Sequence, residues 1–434
     1  MNWPDLSPEA SMAFWTILVG AVSNAACALI GCYLVLRRLS LLGDAISHAI
    51  LPGIVLAFLL TGQISSLPML LGAMAVGMLT TFLTHSLHDF GQVPEDASMG
   101  AVFTSLFALG VILVTNFVSS VHLDADCVLY GDIVNASLDT VALGAWEVPR
   151  VLGILTISLA GAAAFVTLFW KELKIVSFDP QLATSMGLTA GLVHYLLMGV
   201  VAGVTVASFE AVGSILVVAM LIVPAATAHL LTDRLVWMIG WAVLVGVIAS
   251  VLGYLSAAWL NTSVAGMMAV AAGAQFGLAV LLAPRHGLVS KMAHQLALTL
   301  RIAGEDLVAR LYRLEERQAQ PYPQPLPPVP DSVAAPLVRW LATLRLRWRG
   351  EVQARFNGDH RLTDKGRRTA QSLVRAHRLW ESFLGEHFQL PLDHLHEPAE
   401  RVEHFIGPDL QERLATELDR PGVDPHGKQI PPER

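Results

Sequence analysis

LLGDAISHAILPG, residues 41–53, sets an aspartate and a histidine four positions apart in a stretch that is otherwise almost entirely apolar. Residues 43–62 read as one membrane-crossing helix, since a bilayer core takes about 20 mostly apolar residues. An ionisable group near the middle of such a helix costs roughly 2.5–3.5 kcal/mol on insertion scales, so one kept there lines a pathway or binds something. Positions i and i+4 lie one turn apart, which puts Asp44 and His48 on one face. Carboxylate plus neutral imidazole suits a divalent transition metal and releases it more readily than thiolate would. The bland reading, a polar pair satisfied by neighbouring helices, stands against that one.

Outward from this stretch, apolar windows of similar length recur at 12–36, 43–62, 67–86, 98–118, 150–170, 189–208, 211–231, 235–258 and 264–283, about nine spans. The 434 residues are 54% hydrophobic and 15% charged, with a mean hydropathy of +0.56, too apolar for an ordinary soluble chain. Small residues recur inside the spans, as in GAVSNAACALIG and GAMAVG, and permit close helix approach. Arg37/Arg38, Lys171/Lys174, Arg234 and Arg285/Lys291 all follow odd-numbered spans, with Arg150 a mild exception. Positive residues mark the cytoplasmic side, so the N-terminus is expected outside and everything after residue 284 inside the cell. The acidic start MNWPDLSPEA has no basic n-region, so the first span is expected to be retained. Cys27, Cys32 and Cys127 form neither a disulfide framework nor a zinc ribbon. The formal charge of −7 argues against nucleic acid as the partner of the whole chain.

Charge becomes dense after Pro284. Residues 300–318, LRIAGEDLVARLYRLEERQ, have helical spacing; PYPQPLPPVP (321–330) breaks it, because proline removes a backbone donor and clashes with the preceding turn. PLVRWLATLRLRWR (336–349) reads as a basic amphipathic helix. GEVQARFNGDHRLT then reads as a hairpin turning at Asn357-Gly358, and helices follow near 363–387, 394–406 and 408–418. That is a winged-helix order. The expected fold is an all-α polytopic membrane protein of about nine transmembrane helices, residues 1–285, with a cytoplasmic winged-helix-like and helical metal-sensor domain, residues 286–434. Within the latter, 300–365 are the degenerate winged helix and 366–420 the helices that follow it.

The tail holds its own metal signal. His377 and Glu381 are i and i+4, Glu400 and Glu403 are i and i+3, and His404 completes the second face. Two helices each presenting carboxylate and imidazole can enclose a divalent ion, and the absence of thiolate favours manganese or iron(II) over a structural zinc site. A charged, solvated surface is the plain alternative. Arg345, Arg347 and Arg349 are basic enough to contact nucleic-acid phosphates, yet the proline-rich segment occupies the place of a supporting helix. GVDPHGKQ (422–429) has P-loop-like spacing but lacks the final Ser/Thr and the strand and helix that would flank it, so no ATP site is expected in this chain.

YLVLRRLSLLGDAISHAILPG, FDPQLATSMG and EAVGSILVVAMLIVPAATAHLLTDRL together resemble the membrane permeases of the ABC importers for manganese, zinc and iron(II), over nearly all of residues 10–285. The resemblance implies a separate ATPase subunit, an extracytoplasmic metal-binding protein, and dimerisation with itself or a paralogue. It places Asp44 and His48 on the metal path, and Ser177, Phe178, Asp179, Pro180, Gln181, Leu182, Ala183 and Gly187 where such permeases present a coupling helix to the ATPase. LTDKGRRTAQSLVRAHRLWESFL with HEPAERVEHFIGPDLQERL resembles the iron- and manganese-dependent, diphtheria-toxin-repressor-like regulators. That second resemblance implies Asp306, His377, Glu400, Glu403 and His404 as ligands of the manganese-type site, and Glu381 and His396 as ligands of the iron-type ancillary site. Ala309 stands where a first-helix glutamate is expected.

The function expected from these readings is a permease subunit, not an enzyme. It moves a divalent metal across the inner membrane, with ATP used by a partner and the tail sensing manganese or iron(II). Two other readings use the same features: a membrane-tethered, metal-dependent transcription regulator that binds DNA, and an ATP-independent channel or secondary transporter.

Overall fold

The computed structural model describes residues 8–62, 66–117, 133–143, 146–318, 336–354, 360–388 and 390–432. Cys127, the proline-rich segment 321–330, Arg355 and the Asn357-Gly358 turn lie outside the described residues. The chain divides into two compact units, Met1–Ser290 and Lys291–Arg434.

The first unit is helical. Its elements are α1 (Pro8–Leu36), α2 (Ser40–Ala49), α3 (Leu51–Thr61), α4 (Ser66–Asp89), α5 (Glu95–Phe117), the short α6 (Ile133–Leu138), α7 (Arg150–Leu168), α8 (Trp170–Phe178), α9 (Pro180–Ser185), α10 (Ala190–Leu231), α11 (Leu235–Leu260) and α12 (Val264–Leu282). Between α6 and α7 stands an antiparallel pair, β1 (Thr140–Leu143) and β2 (Trp146–Pro149), in the register Thr140↔Pro149. The expected span at 43–62 is broken at Ile50, and Pro52 sits in the first turn of α3. Proline gives no N–H to the preceding turn, so the helix loses the hydrogen bond that residue 52 would otherwise donate there.

Among the described residues, seven helical stretches are long and apolar enough to cross a membrane, with Ser40–Thr61 taken as one. The two other expected spans correspond to α4 and to Leu216–Leu231, a shorter apolar helix. The latter is the second half of α10, which breaks at Gly213, where φ is 76° and ψ 166°. Glycine has no Cβ and tolerates that conformation; other residues are strained in it.

α1 is the hub, with Ile30, Tyr33 and Leu34 fully buried against its neighbours α10 and α11. The contact with α10 is backbone-close, since a Cβ on Gly31 would overlap the Leu221 carbonyl; between α3 and α4, one on Gly53 would likewise overlap the Gly72 carbonyl. Such glycines let helices approach in lipid, where packing rather than water expulsion drives association. Gly31→Val is therefore expected to cost about 3 kcal/mol or more, beyond the usual range for overpacking because rigid backbone cannot yield. A large loss of thermal stability in detergent checks this. By contrast, α11 exposes Trp237, Trp241, Leu244, Ile248, Leu252 and Leu255 in one stripe suited to lipid.

In the second unit, α13 (Leu288–Gln318) leads to α14 (Pro336–Trp348), the hairpin β3 (Val352–Ala354) and β4 (His360–Leu362), and α15 (Asp364–Phe388). Val308, Leu346, Val352, Leu362 and Ala370 form the core of this winged-helix portion. A second core joins Ala376 and Leu379 of α15 to Leu414 and Ala415 of α17 (Pro408–Glu417), with Ile406 and Ile430. The expected helix at 394–406 is shorter: α16 (His396–Val402) runs into a 3-10 turn, Glu403–Phe405.

Candidate functional site

Packing gives α2 two unlike sides. Leu42, Gly43, Ala45, Ile46, Ser47 and Ala49 are buried, while Asp44 and His48 remain partly open. His48 Nε2 lies 3.4 Å from Asp44 Oδ1, and the side chains are 34% and 43% exposed respectively. The rings of Phe103 and Phe107 on α5 stand 6.1 Å from the imidazole. Among the described residues, no side chain from another helix hydrogen-bonds either group, which speaks against a pair satisfied by its neighbours. Two N/O donors on one open face can take part of a metal's coordination shell and leave the rest to water or to another subunit.

In the second unit, α15 and α16 bring three donor atoms into a tight triangle. His377 Nε2 is 3.0 Å from Glu381 Oε1 and 2.9 Å from His396 Nδ1, and the last two are 3.0 Å apart. Two imidazoles and one carboxylate on one side of a site are the arrangement of a facial triad. The other ring nitrogen, His377 Nδ1, lies 2.6 Å from Glu403 Oε2, an ion-pair distance without hydrogen-bond alignment. Burial opposes charge on His377, but the hydrogen bond to Glu381 and the Glu403 carboxylate beside Nδ1 outweigh it and raise its pKa. Burial likewise disfavours the Glu381 carboxylate, yet hydrogen bonds from His377 and His396 hold it well below the usual range.

A second group joins α13 to the 3-10 turn after α16. Asp306, Glu403 and His404 bring one donor atom each to within 4.8 Å of the others, and His404 Nε2 is 3.0 Å from Asp306 Oδ1. Glu305, which the sequence reading passed over, sits 2.9 Å from His404 Nδ1. A carboxylate on the far nitrogen of a histidine fixes the ring and turns the near nitrogen toward an ion. Burial works against a charged His404, but hydrogen bonds to Asp306 and Glu305 push its pKa up to about 10. An ion taken by Nε2 must then displace a proton. Ala309 is buried and supplies no ligand. Glu400, expected in this site, is half-buried and joins none of the metal-capable groups among the described residues.

A third group is new to the structure: Glu381, Asp424 and His426. His426 Nδ1 reaches to 3.5 Å from Glu381 Oε2. Asp424 accepts backbone hydrogen bonds from His426 and Lys428 and pairs with Arg378, so it shapes the loop that delivers the histidine. The only sequence signal was Asp-Pro-His-Gly inside the rejected P-loop match. The residues of these groups fit a divalent ion, being N/O donors without thiolate.

On the first unit, Asp179 caps α9: its Oδ1 accepts from the Gln181 and Leu182 amides at 3.1 and 2.9 Å, and Pro180 occupies the first turn. Ala183 is buried beneath, while Leu182 and Met186, one turn apart, are exposed as an apolar ridge, and Phe178 is exposed at the end of α8. Gly187, at φ 82°, closes the segment. Ser177 Oγ accepts from Arg37 Nε at 3.2 Å, and Arg37 Nη1 lies 3.3 Å from His194 Nδ1. His194 is thus a packed histidine, beside the His85 ring at 5.4 Å. Of the three arginines expected to face nucleic acid, Arg345 is turned inward and donates to the Ala297 carbonyl at 3.2 Å, while Arg347 and Arg349 are exposed.

Comparison with known proteins follows the same division. The model of the ABC 3 transport family matches residues 9–283, and that of the iron dependent repressor metal binding and dimerisation domain matches residues 363–432. The manganese transport system membrane protein MntD of Bacillus subtilis (strain 168) is 44% identical over 295 residues, covering 68% of this chain and 100% of the relative. The zinc transport system membrane protein TroD of Treponema pallidum (strain Nichols) is 43% identical over 289 residues, or 67% of this chain and 79% of the relative. Among solved structures, PsaBC from Streptococcus pneumoniae in complex with Fab superposes with a TM-score of 0.54 at 32% identity, covering 62% of this chain and 91% of that one.

Proposed function

The chain belongs to the ABC 3 transport family, and from that premise we propose that it is the permease subunit of an ATP-driven importer for a divalent transition metal. The observation that carries the reading is the open Asp44–His48 pair on a membrane-crossing stretch. The names of the relatives, manganese and zinc transport proteins, support a divalent metal as the substrate. The chain is a multi-pass membrane protein and a transport subunit rather than an enzyme. The run of Lys and Arg after odd-numbered spans supports an inner-membrane location with the tail in the cytoplasm.

Asp44 and His48 supply one carboxylate and one imidazole to the passing ion. A second permease copy or a paralogue, and an extracytoplasmic metal-binding protein, complete the pathway. ATP is hydrolysed by a separate subunit that docks on α8 and α9. The exposed Leu182–Met186 ridge, with Phe178 also exposed, supports that role, since an apolar ridge on a capped helix fits a partner's groove. Leu182→Ser is expected to lower uptake and ATPase co-purification together, by about ten-fold, as for a central interface residue worth more than 1 kcal/mol; unaltered co-purification would remove the ridge from the interface.

The tail reads the metal concentration that transport produces. Ion binding at the His377–Glu381–His396 and Asp306–Glu403–His404 groups favours one state of the permease by its differential affinity for that state. The reading is tested by reconstituting the permease with its ATPase and comparing Mn²⁺, Fe²⁺ and Zn²⁺ uptake, with and without residues 291–434. ATP-dependent uptake of at least one of these ions is expected, with shut-off at high internal metal only in the full chain. Uptake independent of the ATPase would establish the channel or secondary-transporter alternative instead.

A further inference from the structure

α14 presents an outward face that its place in a winged helix does not explain. The helix rests on the rest of the domain through Ala342 and Leu346, both buried, with Leu346 packed in the core beside Val308. On the opposite side Leu337, Trp340, Leu344 and Trp348 are 65%, 61%, 37% and 87% exposed. Their spacing of three and four residues makes one apolar stripe along the helix. Arg347 borders it, Arg349 ends it, and both are exposed.

In a winged helix this element, just before the hairpin, is the one placed to read DNA. Base edges are read by side chains that hydrogen-bond, such as Arg, Asn and Gln. Leucine offers no hydrogen bond and tryptophan a single donor. Tryptophan and leucine on one face with arginine at the margin are instead the composition of a helix lying in a bilayer interface. The tether strengthens the argument. α13 starts at Leu288, soon after the α12 span ends at Leu282. Arg345 fastens α14 to the Ala297 carbonyl of α13, the helix that continues the chain after the α12 span. Chain connection to a membrane-embedded unit holds the helix at a high effective concentration near lipid, so a weak interfacial affinity suffices.

We propose that α14 docks on the membrane surface, its Leu337–Trp340–Leu344–Trp348 face set among anionic phospholipid headgroups and Arg347 and Arg349 paired with their phosphates. The partner is a lipid surface, and the chemistry it takes is phosphate charge above acyl chain. The inference does not depend on which metal the permease carries.

The test uses the full chain in nanodiscs, with Cys127→Ser and a spin label on Leu344→Cys. Shielding of the label from a water-soluble nickel chelate, with retained access to oxygen, is expected in discs containing phosphatidylglycerol and is weaker in phosphatidylcholine alone. Arg347→Gln and Arg349→Gln should each lower the docked-to-free ratio about five-fold, the equivalent of ~1 kcal/mol per basic residue at an anionic surface. A label on Arg368→Cys, exposed on α15, should stay open to the chelate in every disc. The proposal is overturned by equal exposure of the Leu344 label in both lipids, by shielding that appears only with added duplex DNA, or by shielding that requires two copies per disc. The lipid comparison with both arginines in place guards against a variant that merely misfolds.

Discussion

Alanine at Asp44 or at His48 is expected to reduce metal uptake by at least 10- to 100-fold, the loss that follows even when only a ligand's supporting partner is removed. The effect is large because, among the described residues, this face offers an ion these two donors, 3.4 Å apart. It is clean because neither side chain is built into the core: both are partly exposed, and α2 is held by its other residues, Leu42 and Ile46 among them. Membrane abundance should therefore be unchanged. Asp44→Asn separates charge from size, since the amide keeps the volume but binds a divalent cation poorly. Uptake of radiolabelled or fluorescently reported metal, scaled to permease in the membrane, decides the matter; full activity in both alanine variants would take the pair off the path.

The second large effect is expected at Glu381. One carboxylate serves two groups, with Oε1 3.0 Å from both His377 and His396 and Oε2 3.5 Å from His426. Glu381→Gln keeps the shape but removes the charge both groups share. Affinity of the full chain for Mn²⁺, measured by competition with a chelator, should fall on the order of 10- to 100-fold. The ratio of uptake at low to high internal metal should collapse toward unity. Retained affinity would show that the Asp306–Glu403–His404 group alone binds the ion.

Much of this was legible in the sequence. The spans, the polar pair in α2 and the shared face of His377 and Glu381 follow from helical periodicity and the cost of burying charge, and both are local properties of a chain. Less legible were the breaks. Ile50 precedes a proline two positions on, and Gly213 lies in a run of small apolar residues that continues the helix by every local measure.

The sequence by itself determined which residues share a helix face: Asp44 with His48, and His377 with Glu381. Only the tertiary structure decided which faces meet. It brought Glu305 to the far nitrogen of His404 across nearly a hundred residues, carried His426 to Glu381, and left Glu400 outside the groups among the described residues. It also turned Trp340 and Trp348 outward, where a periodic apolar stripe would be taken for core. The physical reason is that periodicity fixes the angle of a side chain about its own helix axis. What lies opposite depends on how loops and close-packed glycines orient one axis against another, and no local pattern encodes that.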